Sequence, residues 1–109
     1  MKRKILYIPM HLSTGGSPQW LFELIKVSIL DNEVFVAEFN NYGSYDIQKN
    51  RIINLVGKDN YECIGPCFSD NWEEERQRLW EVIQEFKPDV IHFNEIPEKD
   101  ISKLYEEYR

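Results

Sequence analysis

Apolar positions along this chain come in two kinds of run, short continuous blocks and longer stretches with helical spacing, and the two alternate. Lys4-Ile5-Leu6-Tyr7-Ile8-Pro9 is continuous, as expected of a strand covered on both faces. His11-Leu12-Ser13-Thr14-Gly15-Gly16 is too polar and too glycine-rich to extend it. Ser17 can cap a helix whose first residue is Pro18, where the missing N–H costs nothing. Leu21, Leu24, Ile25 and Ser28 then recur at helical spacing and give that helix a stripe to pack on a sheet. Residues 33–39 read as a second strand, entered by a turn at Asp31-Asn32 and followed by a loop over 40–44. Residues 48–56 suit either a helix face or a buried strand; Asp46 as a cap and Gly57 just past the end favour a short helix. Residues 61–64 form a third strand, closed by Gly65-Pro66. Asp70 with Glu73 opens a helix whose buried stripe is Leu79, Ile83 and Phe86 and which ends at Lys87-Pro88. Residues 90–93 are the fourth strand, and 98–108 a last helix carrying Ile101, Leu104, Tyr105 and Tyr108 on one face.

Strands that alternate with helices pair in parallel through right-handed crossovers. The expected fold is therefore α/β: one Rossmann-like half over residues 1–109, with a four-stranded parallel sheet in order 3-2-1-4 and helices on both faces. Ligands of such sheets bind beyond the carboxyl ends of the strands, where the strand order reverses. That point is the gap between strands 1 and 4, faced by residues 10–16 and 94–97. A glycine turn ahead of a helix N-terminus gathers free backbone N–H groups and a partial positive charge there, which favours an anion. The turn matches neither G-x-G-x-x-G nor a Walker A loop, and no lysine lies between Lys4 and Lys26. The plain alternative is a strand-to-helix connection that uses glycine for its φ freedom.

Composition narrows the classes of function. At 109 residues with 42% apolar and 14% aromatic side chains, the chain can bury a core and does not resemble a disordered segment. A net charge of −6 argues against binding a nucleic-acid backbone. The acidic runs Glu73-Glu74-Glu75 and Glu106-Glu107 read as solvated helix faces. Cys63 and Cys67 are too few for a zinc site and read as structural thiols, so neither metal nor cofactor is expected. No apolar run nears the roughly 20 residues of a membrane span. The apolar block after Lys2-Arg3-Lys4 is too short for a signal peptide. The expected location is the cytoplasm, with the inner membrane surface as an alternative.

Taken together, three segments resemble the N-terminal domain of a GT-B-type retaining glycosyltransferase of the family 4-like group. Lys4-Ile5-Leu6-Tyr7-Ile8 with Gly15-Gly16 before a helix is similar to that family's first strand and glycine loop. Glu33-Val34-Phe35-Val36 resembles its second strand, and Phe86-Lys87-Pro88-Asp89-Val90-Ile91-His92-Phe93 resembles the segment that enters its fourth. The resemblance implies transfer of a sugar from a nucleotide-sugar, the donor being a substrate rather than a resident cofactor. It lays Gly15 and Gly16 against the donor's phosphates and sugar, and matches His92 to a strand-end histidine beside the interdomain cleft. His11, Asn94 and Glu95 fall on the same cleft, on its acceptor side. The catalytic residues are not fixed by the match.

The family's second domain, which holds the nucleotide through an acidic motif, has no counterpart in these residues. The chain is accordingly expected to be half of an enzyme, inactive by itself. Its cleft surface is expected to meet either that missing domain or a dimer partner. Each candidate also has a plainer role. His92 would be a core residue, His11 a solvated loop side chain, Glu95 a helix cap, and Trp20 and Trp72 packing residues rather than sugar-stacking platforms. The alternative function is a stand-alone α/β module for a phosphorylated small molecule or a protein partner. A phosphoacceptor receiver domain is disfavoured, because no Asp pair follows strand 1 and no Asp ends strand 3.

Overall fold

A computed structural model describes residues 2–9, 11–12, 16–41, 47–66 and 72–94. Along the chain come strand β1 (Arg3–Pro9), helix α1 (Gly16–Ser28), β2 (Asn32–Asn41), α2 (Ile47–Val56), a 3-10 turn (Lys58–Asn60), β3 (Tyr61–Pro66), α3 (Trp72–Phe86) and β4 (Val90–Asn94). The four strands form one sheet in order β3-β2-β1-β4, and every pairing is parallel. The expected α/β half-Rossmann architecture is the one observed. The helix expected over 98–108 lies outside the described residues.

Alternation along the strands divides the core in two. Leu6 and Ile8 point to one face and, with Ala37 and Ile64, bury Leu79, Val82 and Ile83 of α3. Tyr7 points to the other, where Val34 and Val36 meet Leu21, Phe22 and Ile25 of α1 and Ile52 and Val56 of α2. The period of two in the strands and 3.6 in the helices thus produces helices on both faces from a single sheet. The middle strand β1 keeps Leu6 and Ile8 fully buried, and Tyr7 at 4% exposure, because it is covered on both sides.

Several boundaries differ from expectation. α1 begins at Gly16, so Pro18 is its third residue rather than its first. The shift is tolerated because no N–H of the first turn has an intrahelical acceptor to lose. β3 runs on through Gly65 and Pro66, which pair with Asn40 and Asn41, where the sequence reads as a stop. An edge strand can hold such residues, since its outer side needs no ladder donor. Residues 48–56 are helical, and their buried positions are Lys49, Ile52 and Val56. The lysine in that stripe is what blurs the helical pattern in the sequence.

The connections use side chains to satisfy backbone groups. Asn32 donates from its amide to the Ser28 carbonyl at 2.9 Å, closing α1. α3 ends at Lys87, whose N–H reaches the Ile83 carbonyl at 2.9 Å and whose φ is 54°. Two residues on, Asp89 joins β4 to β1 with two bonds. Its carboxylate accepts the Lys4 N–H at 2.8 Å and its own N–H donates to the Lys4 carbonyl at 2.7 Å. Arg78 of α3 ties down the other edge, donating to the carbonyls of Ile64 and Cys63 at 2.7 and 2.8 Å.

Candidate functional site

Strand order reverses between β1 and β4, and both strands end at the same level, where Pro9 pairs with Asn94. One step down, on the face covered by α1, Tyr7 pairs with His92. His11, two residues past the end of β1, is half-buried, while Leu12 is fully buried. α1 returns from this rim with Gly16 as its first residue. Of the residues read from sequence as a site, His92 and Asn94 are thus neighbours on β4. His11 belongs to the connection leading out of β1, and Gly16 is the first residue of α1. Gly15 and Glu95 lie outside the described residues.

His92 is neither a fully enclosed core residue nor an open one. Its ring stands 5.2 Å from that of Tyr7, tilted by 51°, and 6.2 Å from that of Trp20, tilted by 32°. Tyr7 is 4% exposed and Trp20 is 54% exposed, so the imidazole has a buried wall on one side and an open one on the other. Among the described residues its ring packs against these two rings. Trp20 is not the packing residue expected of it. Leu21, Phe22 and Ile25 fill the buried stripe of α1 and turn the indole outward, over β4. Nothing is described of the Trp72 side chain.

A second group near this rim was not foreseen. Glu38, at 0% exposure, stands in β2 two residues beyond Val36 and on the same face. Its carboxylate accepts the Leu12 N–H at 2.7 Å, the Tyr61 hydroxyl at 2.5 Å and the Lys49 ammonium at 3.0 Å. A carboxylate with no access to water survives in a core only when charge and hydrogen bonds are both supplied, and here three elements supply them. The sequence signal for it is an acid set between Ala37 and Phe39, inside the apolar part of an inner strand, where it must find a partner. Through Leu12 the cluster fixes the chain as it leaves β1, four residues before α1 begins. Lys49 is committed to this pair rather than offered to a ligand.

The rim therefore presents a helix N-terminus, a half-buried imidazole, a carboxamide and an exposed indole. It suits an anionic group held by backbone N–H, next to a ring that can both stack and hydrogen-bond. Among the described residues no cluster of three His, Cys, Asp or Glu could hold a metal ion, and no helix is long and apolar enough to cross a membrane. The hollows lined by Phe35, Asn60 and Tyr61, and by Lys2, Lys4 and Asn32, sit at the opposite, amino edge of the sheet. No protein-family model, curated protein or solved structure matches the chain.

Proposed function

We propose that this chain is the acceptor-side half of a GT-B-type retaining glycosyltransferase. Such an enzyme moves a sugar from a nucleotide-sugar to an acceptor. The observation that carries the reading is the convergence at the strand-order reversal: α1 starts with a glycine where β1 and β4 end, and the β4 residues there are His92 and Asn94. A glycine at the first helical position lets a diphosphate approach the backbone N–H groups, and the helix dipole favours the charge that builds on the leaving group. His11, His92, Asn94 and Glu95 are assigned to the acceptor side. The nucleotide base and most of the phosphate charge are left to a second domain, consistent with the pairing of the buried Lys49 ammonium to Glu38. Donor and acceptor are substrates, and no resident cofactor is required.

The test is donor cleavage by a protein in which this chain is joined to its second domain. Nucleoside diphosphate should be released from one of a panel of nucleotide-sugars, and Gly16→Val should lower that rate by about tenfold or more, by blocking approach to the backbone. Unchanged turnover in the variant would remove the helix start from the mechanism. Absence of cleavage with every donor would favour the alternative, a stand-alone module for a phosphorylated small molecule.

A further inference from the structure

We propose that Trp20 and His92 form a subsite for a neutral, hydroxylated ring, with the indole as stacking platform and the imidazole as hydrogen-bonding edge. The inference rests on reading this rim as the acceptor side. Trp20 is the fifth residue of α1, so it stands about 6 Å along the helix from Gly16. The core does not need it, since Leu21 and Ile25 are fully buried while more than half of Trp20 is open to water. His92, 6.2 Å away, is held from behind by the ring of Tyr7 and has ring nitrogens without a partner among the described residues. An exposed indole beside a hydrogen-bonding imidazole edge matches a ring that presents C–H groups on one side and hydroxyls at its rim.

Charge narrows the ligand further. The side of α1 that carries Trp20 continues through Glu23, Leu24 and Val27. It thus adds a carboxylate and apolar surface, and no cation that would hold a phosphate or carboxylate ligand. The Arg51 guanidinium is turned the other way, 4.1 Å above the Phe22 ring between α1 and α2. A pyranose fits these constraints, and an anionic acceptor does not.

Titration of the intact chain with methyl glucoside, methyl galactoside and methyl mannoside tests this, following the Trp20 indole N–H and the His92 ring by NMR. Saturable shifts at both groups are expected with at least one glycoside. Trp20→Ala should weaken that binding about three- to tenfold and Trp20→Phe by less, with an unchanged melting temperature because the indole is exposed. No saturable shift at Trp20, or equal affinity in Trp20→Ala, would overturn the subsite. Tighter binding of tetramethylammonium than of any glycoside would overturn the ligand class, since Trp20 and Glu23 would then serve a cation. Donor cleavage without acceptor separates this inference from the enzyme reading. Glycoside binding at Trp20 without cleavage in the two-domain protein leaves the subsite and removes the glycosyltransferase. Cleavage without binding at Trp20 does the reverse.

Discussion

Glu38 has the largest consequences of any single side chain here. It is the acid that a central strand would be expected to exclude, and it holds β2, α2, β3 and the exit from β1 together. Lys49→Met should destabilise the fold by about 3 kcal/mol, because it leaves a buried carboxylate without its cation. Combined with Glu38→Gln, the loss should be smaller than the sum of the two single losses. Urea unfolding of the four proteins checks this; additive losses would mean the pair contributes nothing as a pair. Gly57 is a different case. Its φ of 92° and ψ of 148° lie where only glycine is comfortable, while a Cβ would meet nothing nearer than the Asn60 amide at 3.8 Å. Gly57→Ala should therefore cost about 1–3 kcal/mol from backbone strain alone. A melting temperature equal to that of the parent would contradict that. Gly57 was legible in sequence as a helix stop, whereas the Glu38 cluster was not, because its partners lie 11 to 26 residues from Glu38 and no local pattern links them.

The elements were largely legible, for a physical reason. Each strand is a compact apolar block, as a sheet covered on both faces demands, and each is set off by Gly, Pro, Asn or Asp. What sequence could not settle was rotation. Residues 20–25 of α1 are apolar at five of six positions, yet a helix buries only one stripe, and only packing against Val34 and Val36 decides that Phe22 goes in and Trp20 stays out. The segment entering β4 also gains a structural meaning. Lys87 closes α3 with a positive φ, Pro88 prevents its continuation, and Asp89 fastens β4 to β1. Its sequence is thus explained in part by joining a helix to a strand, and its functional weight rests on His92 and Asn94. Asp89→Ala should destabilise the chain by about 1 kcal/mol, the contribution of a carboxylate bond to an exposed backbone N–H. Asp89→Asn, which keeps an acceptor, should recover most of it. Equal loss in both variants would point to charge rather than to the hydrogen bond.

For the molecule as a whole, the proposed function takes the place of the ligand from the sheet order and its chemistry from the glycine-led helix and β4. Trp20 and Val27 of α1 and Val90 at the start of β4 are exposed apolar side chains. The balance of forces at the rim limits what the chain does by itself. A helix N-terminus contributes about 0.3–1 kcal/mol toward an anion when it is exposed. A micromolar complex requires about 8 kcal/mol, and even a millimolar one about 4. The isolated chain should therefore transfer no sugar and hold a nucleotide-sugar only weakly. The most direct test is a titration of the chain with several nucleotide-sugars, following every backbone amide by NMR. Shifts centred on Gly16 and the ends of β1 and β4, still unsaturated at about millimolar ligand, are the predicted result. A micromolar complex, any turnover by the chain alone, or shifts centred on the amino edge of the sheet would contradict the account.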